Sequence, residues 1–226
     1  MILEAIKTKG LTKKYKDTLA VDRLDLSVEK GELFALLGVN GAGKTTTVKM
    51  LSGLTLPTSG TAFIGGMDIV KEGEKAKGII GVSPQETAVA QNLTVKENLE
   101  LMCGIYGYGR QKTAETVKAL GQRFGLDTVF SKKAGRLSGG WGRRLSIAMA
   151  LTGDPEVLFL DEPTLGLDVI ARSELWDVIK EMKGKVTIVL TTHYMEEAEM
   201  LSDRVGIMKS GRMLNVGTPN GLKALC

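Results

Sequence analysis

Residues 33–37 read Leu-Phe-Ala-Leu-Leu, and similarly apolar runs recur at 157–160 (Val-Leu-Phe-Leu) and 186–190 (Val-Thr-Ile-Val-Leu). Short apolar runs bounded by turn residues suit strands buried on both faces of a parallel sheet. Residues 78–82 (Gly-Ile-Ile-Gly-Val) read as another core strand. The chain ahead of the first run behaves differently. Residues 2–36 alternate in strand fashion between charged turns, with period-two character in the second half of 19–28 and a turn at Glu29-Lys30-Gly31-Glu32. Residues 60–66 look like a further antiparallel strand. These pieces predict a small antiparallel sheet beside the parallel one.

From residue 88 to 150 the pattern turns helical. Thr94 precedes an apolar-periodic segment with Glu97 three residues on, which is a capping box. Val117, Leu120 and Phe124 lie at helical spacing within 113–124, and 144–152 predicts a third helix. A crossover between two parallel strands needs far fewer residues, so this segment is an insertion. Beyond it the pattern predicts a helix through Trp176 to Lys183, another strand, and a hairpin turning at Ser210-Gly211.

The first buried run leads into Gly38-Val39-Asn40-Gly41-Ala42-Gly43-Lys44-Thr45-Thr46, which fits the phosphate-loop pattern G-x-x-x-x-G-K-[ST]. The helix is expected to follow from Thr46. Glycines let the backbone turn tightly so that successive N–H groups face phosphates, and a helix N-terminus adds partial positive charge. Lys44 supplies a full cation and Thr45 a hydroxyl for Mg²⁺. Residues 40–46 are therefore the candidate nucleotide-binding segment. The second buried run ends at Asp161-Glu162. Ligands collect at the carboxyl ends of strands in open α/β sheets. Asp161 is placed to hold the Mg²⁺ through a water, and Glu162 to act as base for an attacking water.

A third cluster, Leu137-Ser138-Gly139-Gly140-Trp141, resembles the L-S-G-G-Q signature of ATP-binding-cassette (ABC) ATPases. The resemblance spans about residues 2–220, with the motifs in the family's order. It implies that Tyr15 stacks on adenine, that Gln85 meets Mg²⁺ and senses the γ-phosphate, and that Leu167-Asp168 forms the loop that crosses to a partner subunit. It makes His193 in Thr191-Thr192-His193, the chain's one histidine, a switch residue in catalysis. It further implies a head-to-tail dimer in which Ser138, Gly139 and Gly140 face the γ-phosphate on the other subunit. Trp141 departs from the usual glutamine: an indole N–H donates once and accepts nothing. The Arg143-Arg144 pair is expected to be solvated by default, the alternatives being contact with phosphates or with acidic neighbours.

Composition constrains the rest. Apolar residues make up 43% and charged residues 25%, which is ordinary for one globular domain. No apolar stretch approaches the roughly 18 residues needed to cross a bilayer, so a membrane role requires another chain. Cys103 and Cys226 have no metal-site spacing and read as free thiols. The formal charge of +4 is too small and dispersed to argue for nucleic acid.

The expected architecture is a single α/β domain. Its P-loop NTPase core, with a mainly parallel sheet and a small antiparallel β subdomain, comprises residues 1–87 and 151–226; the inserted helical subdomain is 88–150. The expected function is a MgATP-hydrolysing subunit that powers a transporter by ATP-driven dimer closure. Motifs at 94–99, 163–168 and 193–199 resemble ATPases of ABC-2-type exporters, although those relatives often carry a C-terminal extension beyond the point where this chain stops. The expected partners are a separate membrane-spanning permease and a second copy of the chain, which places the protein on the cytoplasmic face of the membrane. The alternative is a soluble ABC ATPase that remodels a protein or nucleic-acid complex. A guanine-specific GTPase is disfavoured by the lack of an N-K-x-D motif.

Overall fold

The structure is a computed structural model that describes residues 4–224. Eleven strands and eight α-helices form among them, in two sheets. The larger sheet holds β4 (Leu33–Leu37), β7 (Ile80–Ser83), β8 (Val157–Asp161), β9 (Thr187–Thr192), β10 (Arg204–Lys209) and β11 (Arg212–Gly217). Its order is β11-β10-β4-β9-β8-β7, parallel throughout except for the β10–β11 hairpin. Ser210 and Gly211 make that hairpin's turn, both at positive φ.

The unbroken apolar runs have a direct cause. Leu33, Ala35, Leu158, Leu160, Ile188 and Leu190 point into one core, shared with the helical segment. Phe34, Leu36, Val157, Phe159 and Val189 point into the other, shared with the antiparallel sheet. Successive strand residues face opposite sides, so a strand covered on both faces needs an apolar residue at every position.

The smaller sheet is built on β1 (Glu4–Tyr15), a long strand with three partners. One end pairs with β3 (Ser27–Glu29) and the other with β2 (Thr18–Leu24), while β5 (Ser59–Ile64) runs along its second edge and carries β6 (Met67–Asp68). The segment 19–28 is thus divided between two strands. Thr8 explains the break at Asp25-Leu26: its hydroxyl donates to Leu24 O and accepts from Leu26 N, both at 2.7 Å.

Helix α1 (Lys44–Leu51) starts two residues earlier than the sequence pattern predicts, directly on the Gly43 turn. After the short α2 (Gly73–Lys77), the insertion contains α3 (Val95–Ile105), α4 (Arg110–Arg123) and α5 (Gly139–Ala150). The capping box on α3 forms in full, with Glu97 N bound to the Thr94 hydroxyl and Thr94 N bound to Glu97. Helix α5 begins at Gly139, five residues before the predicted start at 144, so the signature glycines are its first turn. The chain continues through α6 (Val169–Met182), α7 (Met195–Leu201) and α8 (Pro219–Lys223). Cys103 is a buried free thiol in α3; Cys226 lies outside the described residues.

Candidate nucleotide and catalytic site

The carboxyl ends of β4, β8 and β9 come together because the three strands are parallel neighbours in register, pairing Leu37 with Thr192 and Asp161 with Thr191. The loop after β4, residues 38–43, is gripped from both sides. Gly211 N donates to Ala42 O at 2.9 Å, and Asp22 N donates to Gly211 O at 2.9 Å. A Cβ at Gly43 would lie 2.5 Å from Ala20 O, and one at Gly38 would lie 2.5 Å from Met208 O. With Gly43 at φ 105° as well, no other residue fits there.

In front of this loop opens a cleft of about 580 Å³, lined by residues 40–46 together with Gln85, Glu162, Leu165 and His193. Thr18, Leu19, Ala20 and Ser210 close its far side. Tyr15 is not among the lining residues. It ends β1, is 44% exposed, and has the Lys13 ammonium 5.0 Å from its ring centre. Residues 18–20 of β2, the strand that pairs with the end of β1, line the cleft beside it.

Glu162 is the centre of the site. Its Oε1 lies 3.1 Å from Lys44 Nζ and its Oε2 lies 2.8 Å from His193 Nδ1. The Lys44 ammonium also donates to Gly38 O at 2.7 Å. Glu162 adopts φ 48°, a left-handed conformation for a non-glycine residue, held by Thr191 through its hydroxyl and carbonyl oxygens, both accepting from Glu162 N. Strain of this kind persists only where the surroundings impose it. A carboxylate so placed can accept a proton from a water in the cleft. His193 can fix its orientation, and the imidazole itself packs against Tyr194 in a tilted arrangement with ring centres 4.0 Å apart.

Asp161 lies one step deeper. Its Oδ1 accepts from the Thr45 hydroxyl at 3.2 Å and from the Thr191 hydroxyl. Thr45 and Asp161 offer adjacent oxygens and Gln85 lines the same cleft as Thr45; oxygen donors of this kind could hold a hard cation such as Mg²⁺. Thr191 is a supporting residue to which sequence reasoning gave no role, although it lies within the quoted Thr191-Thr192-His193.

Ser138, Gly139, Gly140 and Trp141 do not line the cleft of their own chain. They start α5 against α6: a Cβ at Gly140 would lie 3.1 Å from the Ala171 side chain. Asp168 caps α6, accepting from Ala171 N at 2.9 Å. Trp141 is partly buried against the Arg144 guanidinium, 5.2 Å from its ring centre, and Arg144 pairs with Glu174. The expectation of a solvated arginine pair fails for Arg143, which is 5% exposed and donates to Pro84 O and Gln85 O. Helical periodicity turns it inward, a quarter-turn from Arg144.

Comparison with known proteins places the chain in a family. The sequence profile of the ABC transporter family matches residues 21–165. The chain is 43% identical over 220 residues to the probable multidrug ABC transporter ATP-binding protein YbhF of Escherichia coli, covering 97% of this chain and 38% of that protein. It is 42% identical over 224 residues to the Nod factor export ATP-binding protein I of Burkholderia lata, covering 98% and 73%. The chain therefore spans well under half the length of some of its relatives. Among solved structures, the dimeric post-hydrolysis state of the ATP-binding cassette MJ0796 with ADP and Pi superimposes with a TM-score of 0.85 at 25% identity, over 95% of this chain and 98% of that one. The phosphate loop, the carboxylate at the end of β8 and a fold shared along nearly the whole chain lead to one conclusion: this chain belongs to the ABC transporter family of ATP-binding subunits and is an ATPase.

Proposed function

We propose that this chain is the ATP-hydrolysing motor of a membrane exporter of the ABC-2 type, working as a dimer that closes on MgATP. The observation that carries the reading is the position of Glu162 in the cleft between Lys44 and His193. In this reading the N–H groups of residues 40–46 and the Lys44 ammonium hold the β- and γ-phosphates. Thr45, Gln85 and, through a water, Asp161 would hold Mg²⁺, which would neutralise phosphate charge. Glu162 takes a proton from the attacking water, and His193 keeps the carboxylate aimed.

Ser138 and the first N–H groups of α5 are turned away from their own cleft, and a second copy placed head to tail would present them to its partner's γ-phosphate. The names of the YbhF and Nod factor relatives favour a transport role. No helix among the described residues is long and apolar enough to cross a membrane, so the membrane-spanning part of such a transporter would be supplied elsewhere. Coupling would run through the groove between Gln85 and the helical segment, and the chain would sit at the cytoplasmic face.

The test is co-purification in detergent from native membranes, followed by ATPase assay. Recovery with a polytopic membrane protein that stimulates hydrolysis is expected. Recovery with a soluble complex alone would favour the remodelling ATPase instead.

A further inference from the structure

Arg143 is a buried cation whose side-chain contacts are backbone oxygens. Its Nη1 donates to Pro84 O and its Nη2 to Gln85 O, each at 2.6 Å. The two acceptors are consecutive carbonyls, so the planar fork of the guanidinium meets them as a pair. Burial pushes the Arg143 pKa down, and the field of Asp161 opposes that shift. One turn further along the same face of α5, Ser146 Oγ lies 2.9 Å from Ser83 Oγ at the end of β7. Residues 83, 84 and 85 are thus tied, one after another, to a single helix, and that helix begins with the signature glycines. An arginine is an expensive side chain to bury for packing alone. Its reach to the loop that places Gln85 at the cleft gives the burial a purpose.

We infer that Arg143 is a positioning residue for ATP hydrolysis, which locks the Gln85 loop to the signature helix so that the Gln85 amide enters the cleft in a place set by α5. Any displacement of α5 then carries Gln85 with it. The inference rests on the reading that Gln85 serves the metal and phosphate chemistry.

The experiment is a double-mutant cycle on the full chain with MgATP. Arg143→Met keeps the length of the side chain and removes every donor. It should lower kcat by about 10–100-fold, the usual effect of losing a group that orients a metal ligand, while ATP affinity stays near wild type. Arg143→Lys, which can still donate to one carbonyl, should recover part of the rate. Arg143→Met combined with Gln85→Ala should be no slower than Gln85→Ala alone, because Arg143 acts only by positioning the side chain that Gln85→Ala has already removed. Multiplying defects, or equal losses in affinity and turnover, would overturn the proposal and leave Arg143 a packing residue. A full-rate Gln85→Ala enzyme would overturn the role of Gln85 and the proposal together.

Discussion

Lys44 Nζ and Glu162 Oε1 lie 3.1 Å apart with both side chains only 6% exposed, so the cation and the carboxylate of the cleft are held as a buried pair. Replacing Glu162 by Gln keeps the shape and an oxygen for Lys44 but removes the proton acceptor. Turnover should fall by about 10²–10⁴-fold, with ATP binding retained. Phosphate release and sedimentation with MgATP check this together: a slow enzyme that collects as dimer is expected, and near wild-type turnover would exclude Glu162 as the base.

Lys44→Ala and His193→Ala should separate binding from chemistry. The first removes the full cation aimed at the phosphates, a charge-assisted hydrogen bond worth about 1.5–3 kcal/mol. It also leaves the buried Glu162 carboxylate with His193 alone, so the nucleotide-free protein should melt at lower temperature. His193→Ala should bind ATP normally and hydrolyse it slowly. Titration of both variants with ATP decides the point; equal loss of affinity would contradict separate roles.

Trp141 can report closure. Its indole is partly buried against Arg144 in its own chain, whereas Trp176 is 8% exposed and donates to Glu197 at 3.2 Å. In a Glu162→Gln background, MgATP should change the emission in a manner that depends on protein concentration, and Trp141→Phe should abolish that change. An ATP-dependent dimer with constant emission would place Trp141 outside the contact.

Glu197 supplies a pH test. The side chain is 1% exposed, and burial raises its pKa against the opposing pull of the nearby Thr192, Thr164 and Trp176 side chains, of which the Trp176 N–H donates to Glu197 Oε1. The folded state therefore holds this proton more tightly than the unfolded chain, whose ordinary value is 4.5. The stabilisation is complete below that value and is lost as pH rises through the folded pKa. Glu197→Gln carries a neutral amide at every pH. It should melt close to wild type in acid and above it in alkali. A gap in melting temperature that does not widen with pH would refute the buried neutral acid.

Much of this arrangement could be read from local sequence because local rules dictate it. The runs at 33–37 and 157–160 are apolar at every position because both sheet faces are covered, and Thr94 and Glu97 cap α3 by their spacing alone. Other features depend on contacts far along the chain. Gly139 and Gly140 are poor helix formers, yet packing against α6 extends α5 back through them. Arg143 reads as solvated because its partners are backbone carbonyls 58 and 59 positions away, which no side-chain pattern announces. The β1–β2 ladder carries register shifts between Leu11 and Lys14, and the residues of β2 that line the cleft, 18–20, follow from that long-range pairing rather than from a local motif.

The phosphate loop is clasped between β2 at Ala20–Asp22 and the hairpin at Gly211, and this has a thermodynamic consequence. Fixing a residue's backbone costs about 1–2 kcal/mol in conformational entropy. With residues 38–43 already held by Ala20, Met208 and Gly211, that cost is met when the chain folds. An arriving nucleotide has no loop to order, and its interaction energy goes to affinity and to drawing two subunits together. The grip also makes the terminal hairpin a remote determinant of binding. A side chain at Gly211, where a Cβ would lie 2.9 Å from Ala20 O, would spread the clasp and weaken nucleotide affinity without touching a phosphate.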